Sequence, residues 1–263
     1  MAEFKLQNLQ ELLVELQAND YRFQSYSNFI ASPGKKVVLL RHDVDLLPEN
    51  SLATAKLENS LGIKGTYYFR IIPETFKPDI IKQIADLGHE IGYHYEDMDL
   101  VKADNLDKHI DLAYESFQRN LDNLRKIVPI NTICMHGSPR AKYDNKMIWT
   151  KYNYRDLGLI GEPYFDIDFN EFLYLTDTGR RWNGDKVSVR DKVNSKYKFN
   201  LKSTQDVFNA IPQFPDKIMI TIHPQRWDDR FLPWAKELVT QNLKNVVKWG
   251  LVKVKPNFNS LPQ

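Results

Sequence analysis

The sequence predicts one α/β domain organised around a parallel sheet, and three observations predict it. Short apolar runs with strand character alternate with amphipathic segments of helical period, the order that parallel strands and their crossover helices produce. The chain has 263 residues, 42% of them apolar, which is enough for a sizeable core and argues against disorder. No internal repeat, low-complexity tract or compositional break divides it, so residues 1–263 are read as one domain.

The elements follow in order. Leu6, Leu9, Leu12, Leu13 and Leu16 recur at helical spacing and mark an opening amphipathic helix, part of a helical extension over residues 1–30. Residues 37–40, Val-Val-Leu-Leu, read as a buried strand. Pro48 and Gly62 punctuate the next helix, whose apolar positions are Leu52, Ala55 and Leu61. A strand over 65–69 follows, then a helix over 78–87 on the pattern Ile80, Ile81, Ile84, Leu87, stopped by Gly88 ahead of a short strand over 90–94. A longer helix over 106–127 leads through Pro129 to a strand over 131–135. Residues 143–200 are rich in Tyr, Asp, Asn, Gly and Arg with weak periodicity, and are expected to be elaborated loops over a barrel mouth. A strand over 217–222 and a closing helix over 232–249 complete the order.

The 36 basic and 34 acidic side chains nearly cancel and are dispersed, so no nucleic-acid partner is expected. Cys134 is the only cysteine, which excludes an intrachain disulfide and a cysteine-built zinc site and fits a reducing compartment. The start, Met1-Ala2-Glu3-Phe4-Lys5-Leu6, lacks the basic opening and apolar core of a signal peptide, and no stretch approaches the roughly 18 apolar residues of a membrane helix. A cytoplasmic protein without membrane insertion is the expectation.

Chemistry-bearing residues gather where the apolar runs end. Arg41-His42-Asp43-Val44-Asp45 follows the first strand, Gly88-His89-Glu90-Ile91-Gly92-Tyr93-His94-Tyr95-Glu96-Asp97 surrounds the third, and His136 and His223 stand at the tips of two later ones. Parallel strands deliver their carboxyl ends to one face, so these tips should converge on a single cleft although they are far apart in sequence. Two carboxylates and several imidazoles at such a place supply a base and ligands for a divalent metal, which points to a metal-assisted hydrolase. His42 and His89 are read as structural or supporting groups beside the motifs, and His109 as a helix residue.

These strings resemble the polysaccharide deacetylase family of carbohydrate esterases. Residues 41–45 occupy the place of the family's Thr-Phe-Asp-Asp-Gly motif, Leu87-Gly88-His89-Glu90-Ile91-Gly92-Tyr93-His94 is similar to the lead-in of its histidine-rich second motif, and Thr221-Ile222-His223 resembles its late Leu-x-His motif. The resemblance spans residues 37–223 and implies a distorted (β/α) barrel with a divalent metal, zinc by preference, as cofactor. It implies Asp43 as the base, Asp45 and His94 as metal ligands and His223 as the acid. Val44 separates the two aspartates, so the reverse assignment of Asp43 and Asp45 stays open. The family's second metal histidine comes four residues after the first, where this chain has Met98, a soft thioether ill-suited to a hydrolytic zinc site. His136 is the preferred third ligand, with Glu96 and Asp97 as competitors. Arg140 falls near the family's third motif, an arginine that steadies the base, and is also a substrate-binding candidate.

The segment from Thr176 to Gly184 combines turn glycines with an aromatic set between charges. It reads either as a solvated loop or as a cleft wall, in which Trp182, and Trp227 after His223, would stack on sugar rings while Arg180 binds hydroxyl or acidic groups. The function implied is removal of an N-acetyl group from an amino sugar of a surface polysaccharide or its precursor, with a carbohydrate as partner. A catalytically silent carbohydrate-binding barrel and a metal-free amidohydrolase are the alternatives.

Overall fold

In the computed structural model, which describes residues 3–138, 141–182 and 193–254, seven strands form one sheet in which every pairing is parallel. They are β1 (Arg22–Gln24), β2 (Val37–Val44), β3 (Thr66–Phe69), β4 (Glu90–Tyr95), β5 (Ile133–Met135), β6 (Leu173–Thr176) and β7 (Lys217–Ile222). The order is β5-β4-β3-β2-β7-β6, and β1 lies on the same side of β2 as β3, pairing with its first residues where β3 pairs with its last. Among the described residues β5 and β6 do not pair with each other, so the sheet is a half-barrel flanked by helices. Those helices are α1 (Leu6–Ala18), α2 (Tyr26–Ala31), α3 (Pro48–Ser60), α4 (Pro78–Asp86), α5 (Asp97–Leu100), α6 (Leu106–Arg125), α7 (Pro163–Asp166), α8 (Thr204–Ala210) and α9 (Phe231–Val254). Among the described residues no helix is long and apolar enough to cross a membrane.

Three elements differ from the sequence expectation. The first strand does not stop at residue 40 but runs on through Val44, so the charged string is itself strand. Residues 143–200, expected as loops, contribute α7 and the edge strand β6, whose four residues are too few to show a period. The first 30 residues contribute β1 and α2 as well as the opening helix.

Pleating of β2 sorts its side chains between two faces. Val38 and Leu40 join an outer core with Leu9, Leu12, Leu13 and Leu16 of α1 and with Ile218, Ile220 and Ile222 of β7. Val44 enters a second outer core with Ala55 of α3, Ile81 and Ile84 of α4 and Phe117 of α6. Val37 and Leu39 point inward to a smaller cluster with Tyr26, Phe172 and Met219. Arg41 and Asp43 continue that inner face toward the strand's carboxyl end. On β4 a side chain at Gly92 would meet the Tyr68 ring at 2.3 Å, so glycine here is what lets Tyr68 lie across the inner face.

His42 and His89 sit on the outer side, around a buried carboxylate. Glu58 of α3 places Oε1 2.7 Å from His42 Nε2, and its Oε2 accepts from the Tyr67 hydroxyl at 2.8 Å. His89 Nδ1 accepts from the Gly65 N–H at 3.1 Å, which leaves its Nε2 to donate to the Ala55 carbonyl at 3.0 Å. These contacts bind α3 to β2, β3 and β4. Glu58→Ala removes the partner of a buried histidine and a buried hydroxyl, and should cost about 3–5 kcal/mol in urea denaturation. Glu58→Gln, which can still accept from Tyr67, should cost clearly less; equal losses would show that the pairing with His42 and Tyr67 is not what holds α3.

Candidate active site

The inner faces of β2, β4, β5 and β7 meet at their carboxyl ends. Register explains the meeting: His94 is paired with Cys134, so His136, two residues further along the same face, stands beside His94. His94 Nδ1 lies 2.9 Å from the Cys134 carbonyl, to which it donates, and this turns Nε2 into the cleft. His136 is fixed through its backbone, its N–H donating to Tyr95 at 2.8 Å and its carbonyl accepting from Asn145 Nδ2 at 2.9 Å. Asp45 follows the end of β2 and completes the group.

Three atoms of this group surround one point. Asp45 Oδ1 lies 3.1 Å from His136 Nδ1 and 3.6 Å from His94 Nε2, and the two ring nitrogens are 3.3 Å apart. Ligand atoms bound tetrahedrally to zinc at about 2.0–2.1 Å are about 3.3 Å from one another, so the spacing suits such an ion. Asp45 Oδ1 is buried and, among the described residues, has no hydrogen-bond partner of its own, which a cation would supply. A carboxylate with two imidazoles is also the donor set that zinc and its neighbours accept. Asp43, His94 and Cys134 form a second group of similar spread. There the Asp43 carboxylate is already bound by a guanidinium whose charge opposes a cation.

That guanidinium is Arg41, whose Nε and Nη2 donate to the two oxygens of Asp43 at 2.8 and 2.6 Å in a fork-to-fork pair. Burial works against the Asp43 charge, but Arg41 outweighs it and holds the carboxyl below its usual range. Asp43 Oδ2 is 3.6 Å from His94 Nε2. Across the cleft His223 Nε2 lies 3.8 Å from Asp45 Oδ2, and its Nδ1 lies 2.6 Å from Asp177 Oδ1. Arg226 Nη1 donates to the same oxygen at 2.6 Å and the Trp227 indole to Oδ2 at 2.7 Å. Despite burial, Arg226 and His223 hold Asp177 down to about 2. The Asp177 contact holds the ring through Nδ1 and leaves Nε2 turned toward Asp45.

The two candidate ligand imidazoles differ in charge. Burial pushes His94 down to about 4, so its ring is neutral at physiological pH. Burial also opposes a charge on His136, but the Asp45 carboxylate outweighs it and raises the ring above its ordinary value. Asp45 in turn is held well below the carboxylate range, burial notwithstanding, chiefly by His136.

The structure brings Asp43, Asp45, His94, His136 and His223 together and turns other expected residues away. Glu96 is occupied by Arg70, which donates to both its oxygens at 2.8 and 2.6 Å. Asp97 accepts from Tyr93, Ser116 and Asn120, and burial lifts it to about 6. Met98 is a core residue with its side chain among the apolar groups under α6. Trp182 and Trp227, expected to stack on a sugar, are 4% and 2% exposed and pack around Phe4, so neither offers a ring face to a ligand. Arg180 is buried as well, with Nη1 on the Arg226 carbonyl and Nη2 on that of Glu3. Arg140 and residues 183–192 lie outside the described residues. His109 stays on α6 and reaches the Met98 carbonyl at 2.8 Å.

Arg41, Asp177 and Arg226 were not singled out from the sequence. Arg41 could have been: two residues before Asp43 in a strand, it must share that residue's face. Asp177 stood in a segment where β6 was not recognised, and nothing nearby signalled that it would pair with His223.

No protein-family model matches the sequence, and no curated protein matches it. Solved structures do match. The chain is similar to the Streptococcus pyogenes deacetylase PplD in complex with acetate, at 17% identity over 57% of this chain and 70% of that one, with a TM-score of 0.44. It is similar to a CE4 family pseudoenzyme from Bacillus anthracis at 14% identity over 82% of this chain and 62% of that one, with a TM-score of 0.44. For PdaA of Bacillus subtilis, a family 4 carbohydrate esterase, the figures are 13% identity, 89% and 84% coverage and a TM-score of 0.44.

Zinc titrations should show which residues hold the ion. His94→Ala, His136→Ala and Asp45→Asn should each weaken binding by more than the roughly 10- to 100-fold that loss of a supporting residue costs. Glu96→Gln should leave affinity within a few-fold of the parent, and a large loss there would return Glu96 to the ligand set.

Affinity should also depend on pH through one group. Asp45 is held ionised and His94 is neutral at neutrality, whereas His136, raised above its ordinary value, is the last of the three to lose its proton, which zinc must displace below that pKa. Below that pKa the affinity should therefore rise about tenfold per pH unit, level off above it, and release about one proton per zinc at pH near 6. Calorimetry in buffers of different ionisation enthalpy measures this. Two protons released would show that His94 is also protonated before binding.

Proposed function

We propose that the protein is a metal-dependent hydrolase that removes the N-acetyl group from an amino sugar of a surface polysaccharide or its precursor. The observation that carries this reading is the single cleft that joins the Asp45, His94 and His136 donor atoms to a clamped carboxylate and a carboxylate-backed imidazole. Asp45, His94 and His136 would hold a divalent ion, whose chemistry is to polarise the acyl carbonyl and make a water acidic enough to lose its proton near neutral pH.

Asp43 is suited to accept that proton, because Arg41 keeps its carboxylate ionised and fixed in direction. His223 is suited to deliver a proton to the departing amine through Nε2, since Asp177 holds its other nitrogen and stabilises the imidazolium that precedes delivery. With Asp43 and His223 both beside the metal-binding residues, one proton is taken and one returned. Amide hydrolysis needs that pairing, because an amine leaves poorly unless protonated.

Acetate release from N-acetylated amino-sugar oligosaccharides tests the reading. Asp43→Asn and His223→Ala should each lower kcat about 10²- to 10⁴-fold with zinc affinity kept, and Asp177→Asn should lower kcat with little change in KM. Chelation should abolish turnover and zinc restore it. Turnover that survives chelation would favour a metal-free amidohydrolase, and failure to bind zinc at micromolar concentration would favour a silent carbohydrate-binding barrel.

A further inference from the structure

Beside His136 lies a cavity of about 560 Å³ that the chemistry above does not use. Its lining includes Met98, Val101 and Tyr143 as apolar surface and Lys102 and Lys142 as charges. The remaining charges there are largely spent. Glu96 is bound through both oxygens by Arg70, and His109 is engaged with the Met98 carbonyl. Asp99 accepts from Asn145 Nδ2 at 3.4 Å. Lys102 and Lys142 are both exposed, and among the described residues neither ammonium makes an ion pair. Among the described lining residues Arg70, Lys102 and Lys142 outnumber Glu96 and Asp99, so the balance of the cavity is positive. Tyr143 is half-buried, with Lys142 Nζ 4.8 Å from its ring centroid and the His109 ring against it at 4.9 Å, so the ring is steadied at the wall.

We propose that this cavity is a substrate subsite for an anionic group carried next to the N-acetylated sugar, a phosphate or a carboxylate bound by Lys102 and Lys142, with Tyr143 and Val101 against the attached ring. The proposal rests on the deacetylase reading and names the class of substrate: an acidic amino-sugar compound in preference to a neutral glycan. The volume is that of a small-molecule site, large enough for a sugar ring with its substituent. His136 is part of the lining, so the cavity adjoins the residues proposed to hold the metal. Phosphate would mark an activated precursor, and carboxylate an acidic sugar within a glycan.

Equilibrium binding to the metal-free protein tests this without turnover and without anion binding to a metal. The probes are N-acetylglucosamine 1-phosphate, a glucuronic acid and N-acetylglucosamine disaccharide, and neutral N,N'-diacetylchitobiose. At least one anionic probe should bind about 3- to 30-fold more tightly than the neutral one, the range two partly exposed ion pairs give, and the preference should shrink at high salt. The Lys102→Ala and Lys142→Ala double variant should lose the preference while its affinity for the neutral probe is unchanged. A preference for the phosphate assigns the precursor, and a preference for the glucuronate assigns the acidic glycan. Equal binding of all three probes, no binding of the anionic ones, or a preference that persists in the double variant would each overturn the proposal. An inactive enzyme that still prefers anions would count against the hydrolase reading alone, and an active one without the preference against the subsite alone.

Discussion

The pleat of one strand governs both halves of this molecule. In β2 the side chains of Val38, Leu40, His42 and Val44 face outward under the helices, and those of Val37, Leu39, Arg41 and Asp43 face inward. A shift of one residue in register would place Arg41 and Asp43 in the apolar layer and His42 in the cleft, away from Glu58. Burial on the outer side therefore fixes the chemistry on the inner side. Leucines of α1 and the buried His42–Glu58–Tyr67 contacts hold the register, and the inner face inherits its geometry from them.

Two carboxylates end up close together at the carboxyl end of β2, and they are neutralised in different ways. Asp43 is paired in full: a buried guanidinium meets both its oxygens, so it carries its charge without needing a cation beside it. Asp45 is paired only in part. Its Oδ1 lies 3.1 Å from His136 Nδ1 and 3.6 Å from His94 Nε2, one ring neutral and the other raised in pKa by the carboxylate itself. This difference separates the candidate base from the candidate ligand, which the order Asp43-Val44-Asp45 alone leaves open.

The strands over 37–40, 65–69, 90–94, 131–135 and 217–222 were legible because each is a short apolar run with turn residues on both sides. Convergence of their tips then followed from parallel topology. β1 and β6 were not legible, since β1 is an Arg-Phe-Gln triplet with one apolar residue and β6 lies in a stretch whose polar composition reads as loop. The aromatics Trp182 and Trp227 misled for a related reason. A tryptophan among charges has the same local sequence whether it faces solvent or covers a core, and here Phe4, from the first residues of the chain, decides the matter. Sequence spacing could place His136 beside His94 because both stand at strand ends. It could not place Asp177 beside His223, because that contact depends on an edge strand that was not recognised.

The position of the second ligand imidazole has a further consequence. A histidine four residues after His94 would draw the 95–98 segment toward the cleft. In this chain that segment turns away, with Met98 in the core, Asp97 tied to Tyr93, Ser116 and Asn120, and Glu96 held by Arg70. His136 comes instead from the adjacent strand, where the His94 and Cys134 pairing sets its distance. Strand positions vary less than loop positions, so the donor atoms are spaced for an ion before one binds. The cavity lined by Met98, Val101 and Lys102 also has His136 in its lining, so the proposed anionic subsite borders the ligand that this strand end supplies.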